Sequence, residues 1–271
     1  METIKPHYKS VLTIAGSDSG GGAGIQADIK SISACGAYAA SVITATTAQN
    51  TQGVYDIHAI PIAHLEKQLD AVLSDIQFGA VKIGMLHSCD VIKTVSSKLA
   101  AYNVNTIVLD PVMVATSGDN LISENAIKCL KGLLPQARLV TPNIPEAEIL
   151  IRHKINLENF KDSAIEIGKE YNTSVLLKGG HLVKETNEMM DVLFNVKTNK
   201  ILEIFNPKIN TNNTHGTGCS LSSSIATFLC LGFDLEVAVK KGCDYVNQAI
   251  NNGKNMILGK GNNPINHFSL K

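Results

Sequence analysis

Apolar and polar positions alternate along this chain in blocks that repeat one theme. Residues 11–15 (VLTIA) form a short apolar run that stops at Gly16, the polar stretch SDSGGGAG follows, and Ile25, Ile29 and Ile32 then recur at helical spacing up to Gly36. The pattern predicts strand, glycine-rich turn and helix. A second strand is expected over 38–46, followed by the polar stretch TTAQNTQGV, in which Gln49 and Asn50 stand just past the strand end as a loop. Leu65, Leu69, Val72 and Leu73 mark an amphipathic helix, and residues 80–83 a strand that runs into Gly84, Met85 and Leu86. After a helix pattern over 91–99, three more strands are expected. Residues 106–109 lead into Asp110, Pro111, Val112 and Met113, residues 139–141 into Pro142, Asn143, Ile144, Pro145 and Glu146, and residues 175–177 into Lys178, Gly179, Gly180 and His181. The polar run 210–219 (NTNNTHGTGC) then opens a helix carrying Leu221, Ile225, Phe228 and Leu229.

Strands alternating with helices imply an α/β fold with a parallel sheet, whose ligands bind beyond the carboxyl ends of the strands. No linker, repeat or composition break divides the chain, so a single domain over 1–271 is expected. Composition narrows the partner: 24 basic residues balance 24 acidic ones without a basic block, which disfavours nucleic acid and anionic membranes and points to a small molecule. No stretch approaches the roughly 20 apolar residues of a membrane span. The first ten residues carry no apolar leader, so a cytoplasmic protein is expected. The six cysteines show no CxxC pair and the eight histidines no metal-ligand spacing; buried, reduced thiols are the expectation for all but Cys219.

The candidate chemistry lies in the strand-end residues. Glycines before a helix let backbone N–H groups converge where the helix dipole places about half a positive charge, so His215-Gly216-Thr217-Gly218-Cys219 reads as an anion site. A thiol in that field is expected to titrate below its free value of about 8.5. Asp110, Asn143 with Glu146, and Lys178 reach the same rim from three successive strands: carboxylates suited to Mg²⁺, and a lysine suited to phosphate oxygens. The first glycine-rich turn does not fit GxGxxG, and no acidic residue follows on the next strand to hold a ribose; no GxxxxGK[ST] occurs either. Together these features describe phosphoryl transfer without a P-loop.

AGSDSGGGAGIQAD (15–28), TAQNTQGV (47–54), KIGML (82–86), DPVM (110–113), TPNIPEAE (141–148), KGGH (178–181) and NTNNTHGTGC (210–219) stand in this order. With these motifs the chain resembles the hydroxymethylpyrimidine/phosphomethylpyrimidine kinases of the ribokinase superfamily, from about residue 11 to the final helices. The resemblance implies a three-layer α/β/α fold with a mainly parallel central sheet, a homodimer, and use of ATP with Mg²⁺. It implies that Gly16, Asp28, Gln49, Met85 and Val112 line a pyrimidine pocket and that Asp110, Asn143 and Glu146 serve metal and phosphates. Lys178 and Thr214 would meet the nucleotide phosphates, with Gly216 and Gly218 as the anion hole and Cys219 taking part in the proton transfer. Further catalytic domains sometimes fused to such kinases are expected to be absent, and the tail after Leu258 carries no legible motif. Two alternatives stand beside this reading: a pyridoxal kinase, and a ligand-binding relative without turnover.

Overall fold

A computed structural model describes residues 6–113, 123–180 and 187–268. Its centre is an eight-stranded sheet. In chain order the main-sheet strands are β1 (Ser10–Ala15), β2 (Tyr38–Ile43), β5 (Ala80–Ile83), β6 (Ile107–Leu109), β7 (Leu139–Val140), β8 (Ser174–Leu177), β9 (Glu188–Asn195) and β10 (Lys200–Pro207). A separate hairpin supplies β3 (Ala45–Asn50) and β4 (Gly53–Ala59). The sheet order is β10-β9-β8-β7-β6-β5-β1-β2, parallel from β2 to β8, with β9 and β10 antiparallel at one edge.

Both faces are covered, as parallel strands require. Successive side chains of a strand point to opposite faces, so β1 divides its residues between two cores. Leu12 and Ile14 join Val81, Ile83 and Leu109 under α2 (Ile62–Leu73), α3 (Cys89–Ala101), α4 (Glu124–Leu133), α5 (Ile144–Ile151) and α6 (Phe160–Glu170). Val11 joins Ala80, Val108 and Leu176 under α1 (Gly24–Ala34), α7 (Thr217–Cys230) and α8 (Leu235–Gly253). The expected three-layer arrangement is thus present. None of the described helices is long and apolar enough to cross a membrane.

Three expectations need correction and a fourth a limit. The strand expected over 38–46 stops at Ile43, where the Thr44 N–H turns back to the Ala15 carbonyl at 3.0 Å. What was read as a loop with Gln49 and Asn50 is strand β3, paired with β4 from Ala45↔Ala59 to Asn50↔Gly53. Its alternation escapes a hydrophobicity reading because β4 is exposed along its whole length and has no core face. Cys89 and Cys129 are not free thiols: helix packing brings their Cα atoms to 5.4 Å and they pair as a disulfide, leaving Cys35, Cys219, Cys230 and Cys243 free among the described residues. His181 of the KGGH stretch lies outside the described residues.

Candidate active site at the strand ends

The anion loop is built from backbone. Gly216 caps α7 with φ +85°, a conformation that favours glycine, and a Cβ there would fall on the Gly22 carbonyl oxygen. The first turn of α7 leaves its N–H groups without partners inside the helix, at the positive end of its dipole. Gly218 is bare on the side that matters: a Cβ there would stand 3.4 Å from Asp110 Oδ2 and 3.6 Å from Lys178 Nζ. Thr214 is exposed beside this loop, and its carbonyl accepts the Thr217 N–H at 3.2 Å.

Adjacent strands bring the charged residues together. Asp110 follows β6 and is 2 % exposed; its Oδ1 accepts from the Thr141 hydroxyl at 3.0 Å and from Lys178 Nζ at 3.1 Å. Lys178 follows β8 and bridges in parallel to Asn143 after β7. Burial works against the Lys178 charge, but Asp110 and Glu146 outweigh it and hold its pKa above the ordinary value. Glu146 shows the opposite balance. Burial pushes its pKa up to about 7; Lys178 opposes this and Asp110 adds to it. Asn143 is the N-cap of α5: its side-chain oxygen accepts the Glu146 N–H at 2.9 Å, and Glu146 Oε2 accepts the Asn143 N–H at 2.9 Å. Its amide oxygen therefore positions Glu146.

Asp28 is corrected. It is wholly buried, and its oxygens accept from Thr13 at 2.6 Å, Ser223 at 2.7 Å and Lys82 at 2.8 and 2.9 Å, so it lies beneath the pocket instead of lining it. Cys219 sits in the first turn of α7 as expected, yet its pKa moves the other way. Burial pushes the thiol up to about 11; Lys82 opposes, while Asp28 and Asp110 reinforce the rise. The dipole argument neglected desolvation and two nearby carboxylates.

The remaining pocket candidates are placed by the hairpin and by β5. Bare Gly16 leaves room for Met85, whose Cε would stand 3.1 Å from a Cβ at that glycine. Gln49 is half-buried, its side-chain oxygen 3.2 Å from the Thr47 hydroxyl, which donates to the Ser17 carbonyl at 2.8 Å, and its backbone N–H donating to Ser19 Oγ at 2.8 Å. Val112 is half-buried beyond β6, its N–H donating to the Asp110 carbonyl at 2.8 Å.

The role of Asp18 and its contact with His215 escaped the sequence reading. Asp18 accepts the N–H groups of Gly20, Gly22 and Ala23 at 2.8, 3.0 and 2.8 Å, so these glycine-loop amides are held inward. Its Oδ2 also meets His215 Nε2 at 3.0 Å, linking the first glycine-rich loop to the anion loop. Burial raises the Asp18 pKa, and His215 with the loop amides more than offsets this, leaving it below the ordinary value. An Asp five residues before Ala23 in a glycine-rich turn was the available signal.

The family model for phosphomethylpyrimidine kinase matches residues 18–266, which include Asp110, Asn143, Glu146, Lys178 and the Gly216–Gly218 turn. The chain belongs to the phosphomethylpyrimidine kinase family. It is 42 % identical over 265 residues to the hydroxymethylpyrimidine/phosphomethylpyrimidine kinase of Haemophilus influenzae, covering 97 % of this chain and 98 % of that one. It is 47 % identical over 261 residues to the thiamine biosynthesis bifunctional protein ThiED of Geobacter sulfurreducens, covering 96 % of this chain. The match spans about half of that longer relative, 52 % of its length. The solved pyridoxal kinase of Staphylococcus aureus in complex with AMP-PCP and pyridoxal superposes with a TM-score of 0.86 at 29 % identity, covering 97 % of this chain and 95 % of that one. Phosphomethylpyrimidine kinases and pyridoxal kinases thus share this scaffold.

Proposed function

We propose that this chain, as a single kinase domain, transfers the γ-phosphoryl group of ATP to 4-amino-5-hydroxymethyl-2-methylpyrimidine and then to its monophosphate. The diphosphate so formed would serve thiamine biosynthesis in the cytoplasm. One observation carries the reading: Lys178, Asp110 and the bare flank of Gly218 meet at the amino end of α7. That arrangement suits a triphosphate, with backbone N–H groups of the Gly216–Gly218 turn and Lys178 facing its oxygens. Thr214 stands beside the same loop for the nucleotide.

The donor set fits a divalent cation. Asp110 and Glu146 are two buried carboxylates close enough for Asp110 to raise the Glu146 pKa, and Lys178 alone does not neutralise both. Mg²⁺ held there would neutralise phosphate charge. Asn143 fixes Glu146 through the capping box, and the Thr141 hydroxyl fixes Asp110. On the acceptor side Gln49 hydrogen-bonds the aminopyrimidine edge while Gly16, Met85 and Val112 enclose the ring. Cys219, a thiol at neutral pH, orients the hydroxyl as its oxygen attacks in line, and the hydroxyl proton leaves late to an oxygen of the transferred phosphoryl group; with a loose transition state, positioning and charge stabilisation contribute most of the acceleration.

A homodimer belongs to the same proposal. Val54, Tyr55 and Ile57 are 50, 67 and 52 % exposed on β4, an apolar edge hairpin suited to a second copy. The S. aureus superposition favours pyridoxal as a second acceptor. Incubation with Mg-ATP and each alcohol separately, followed by mass spectrometry of mono- and diphosphates, tests both. Phosphorylation of pyridoxal without any of the pyrimidine would replace the first reading by the second.

A further inference from the structure

The β3–β4 hairpin is a two-stranded sheet of its own, and β4 is exposed throughout. β3 packs only through Ala45, Thr47 and Gln49 and β4 not at all; two strands with so little packing are marginal in water, so the hairpin's position depends on what holds its ends. The glycine-rich loop holds one side: the Thr47 hydroxyl donates to the Ser17 carbonyl at 2.8 Å, the Gln49 N–H donates to Ser19 Oγ at 2.8 Å, and that hydroxyl returns to the Gln49 carbonyl at 2.7 Å. The other hold comes from residues 259–265, the tail without a legible motif. At Thr51, in the β3–β4 turn, the carbonyl accepts the Asn262 N–H at 2.8 Å and the side-chain hydroxyl oxygen accepts the Gly261 N–H at 3.2 Å. A Cβ on Gly261 would collide with the Thr51 carbonyl oxygen, so the approach needs a bare backbone.

The same segment reaches the anion loop. The His215 N–H donates to the Asn263 carbonyl at 3.3 Å, and residues 215 and 264 form a parallel bridge. His215 meets Asp18, the neighbour of Ser19, which closes the circuit back to Gln49. Four segments distant in sequence therefore form one ring of hydrogen bonds: hairpin, tail, anion loop and glycine-rich loop.

We infer that Thr51 and Gly261 are positioning residues for the acceptor: the segment 259–265 fixes where the Gln49 hairpin stands relative to the phosphate loop. The effect of the Thr51 hydroxyl falls on acceptor binding and spares ATP, because Thr51 lies two residues from Gln49 and on the hairpin, whereas Gly261 belongs to the segment that also reaches the anion loop. The pyrimidine arm of the test rests on the reading proposed above.

The test uses the full chain with Thr51→Val, Thr51→Ser and Gly261→Ala. Hydrogen–deuterium exchange is followed over 45–59 and over α8, and KM is measured for the pyrimidine and for ATP. Thr51→Val and Gly261→Ala are expected to speed exchange over 45–59 while α8 keeps its protection. Losing one such hydrogen bond should raise the pyrimidine KM about 3- to 10-fold. For Thr51→Val the ATP KM should stay within about twofold of wild type, and Thr51→Ser should behave as wild type. Unchanged exchange over 45–59 overturns the inference, as does a Thr51→Val ATP KM that rises in step with its pyrimidine KM. A wild-type chain inactive on the pyrimidine overturns the substrate reading instead, and the exchange comparison then decides the positioning role.

Discussion

Lys82 Nζ lies 2.8 Å from Asp28 Oδ2 with both side chains wholly out of water. The pair joins β5 to α1, and Ser223 adds α7 by donating to Asp28 Oδ1 at 2.7 Å. Ser223 is four residues after Cys219, hence on the same face of α7 one turn further on. The floor of the site is therefore an ion pair with hydroxyl support. Gly84 makes room for it, since a Cβ there would approach Lys82 Nζ to 2.7 Å.

Removing one member should cost more than removing both. Lys82→Met leaves a buried carboxylate without its partner, which is expected to destabilise the chain by about 3–5 kcal/mol. The double variant Lys82→Met, Asp28→Asn should recover most of that loss in urea unfolding. Equal losses in single and double variants would mean that the pair contributes only packing.

The rim was legible because strand ends announce themselves: an apolar run broken by Pro or Gly fixes where Asp110, Asn143 and Lys178 emerge, and parallel order places them side by side. Charge states were not legible. Whether Cys219 rises or falls depends on burial and on Asp28, Asp110 and Lys82, which come from other elements. Asp28 reads as a pocket residue from its motif; only the folded chain shows three donors, Thr13, Lys82 and Ser223, closing on it. The tail stayed silent for another reason. Its contacts with Thr51 use backbone groups and missing Cβ atoms, which leave no side-chain pattern.

The thiol of Cys219 should be protonated at neutral pH in the free protein. Its alkylation by iodoacetamide is expected to quicken through pH 9 and 10 toward a pKa of about 11, with no plateau near 7. Cys219→Ala should lower kcat about 100-fold by loosening the position of the acceptor hydroxyl, with the ATP KM retained. Wild-type turnover in that variant would reduce the thiol to packing.

Glu146 gives a pH signature. Its pKa of about 7 stands above the ordinary 4.5, so between these values the folded state binds more protons than the unfolded one. The stability it contributes is full below 4.5 and is lost as pH rises through about 7. Glu146→Gln should remove this decline, leaving the variant more stable than wild type at about pH 8 and similar at about pH 4 in thermal melts. Its catalytic effect should have the opposite sign. Loss of a charged ligand is expected to raise the Mg²⁺ concentration for half-maximal rate about 10-fold or more, and an unchanged Mg²⁺ titration would exclude the metal role.

Gln49 should decide between the two acceptors. Its amide offers an acceptor and a donor side by side, and an aminopyrimidine presents the complement, an exocyclic amine next to a ring nitrogen. Pyridoxal has no such adjacent pair. The Thr47 hydroxyl, 3.2 Å from the Gln49 side-chain oxygen, and the Ser19 bonds to the Gln49 backbone hold the residue ready for that edge. A buried polar group left unpaired costs about 1–3 kcal/mol, so wild type should prefer the pyrimidine by roughly 5- to 150-fold in kcat/KM from this contact alone. Gln49→Ala should erase that factor by weakening the pyrimidine reaction while pyridoxal changes little. Competition between the two alcohols at a fixed ATP concentration, read as the ratio of phosphorylated products, measures it directly. An unaltered product ratio in Gln49→Ala would place the discrimination elsewhere in the pocket, with Met85 and Val112 the next side chains to vary.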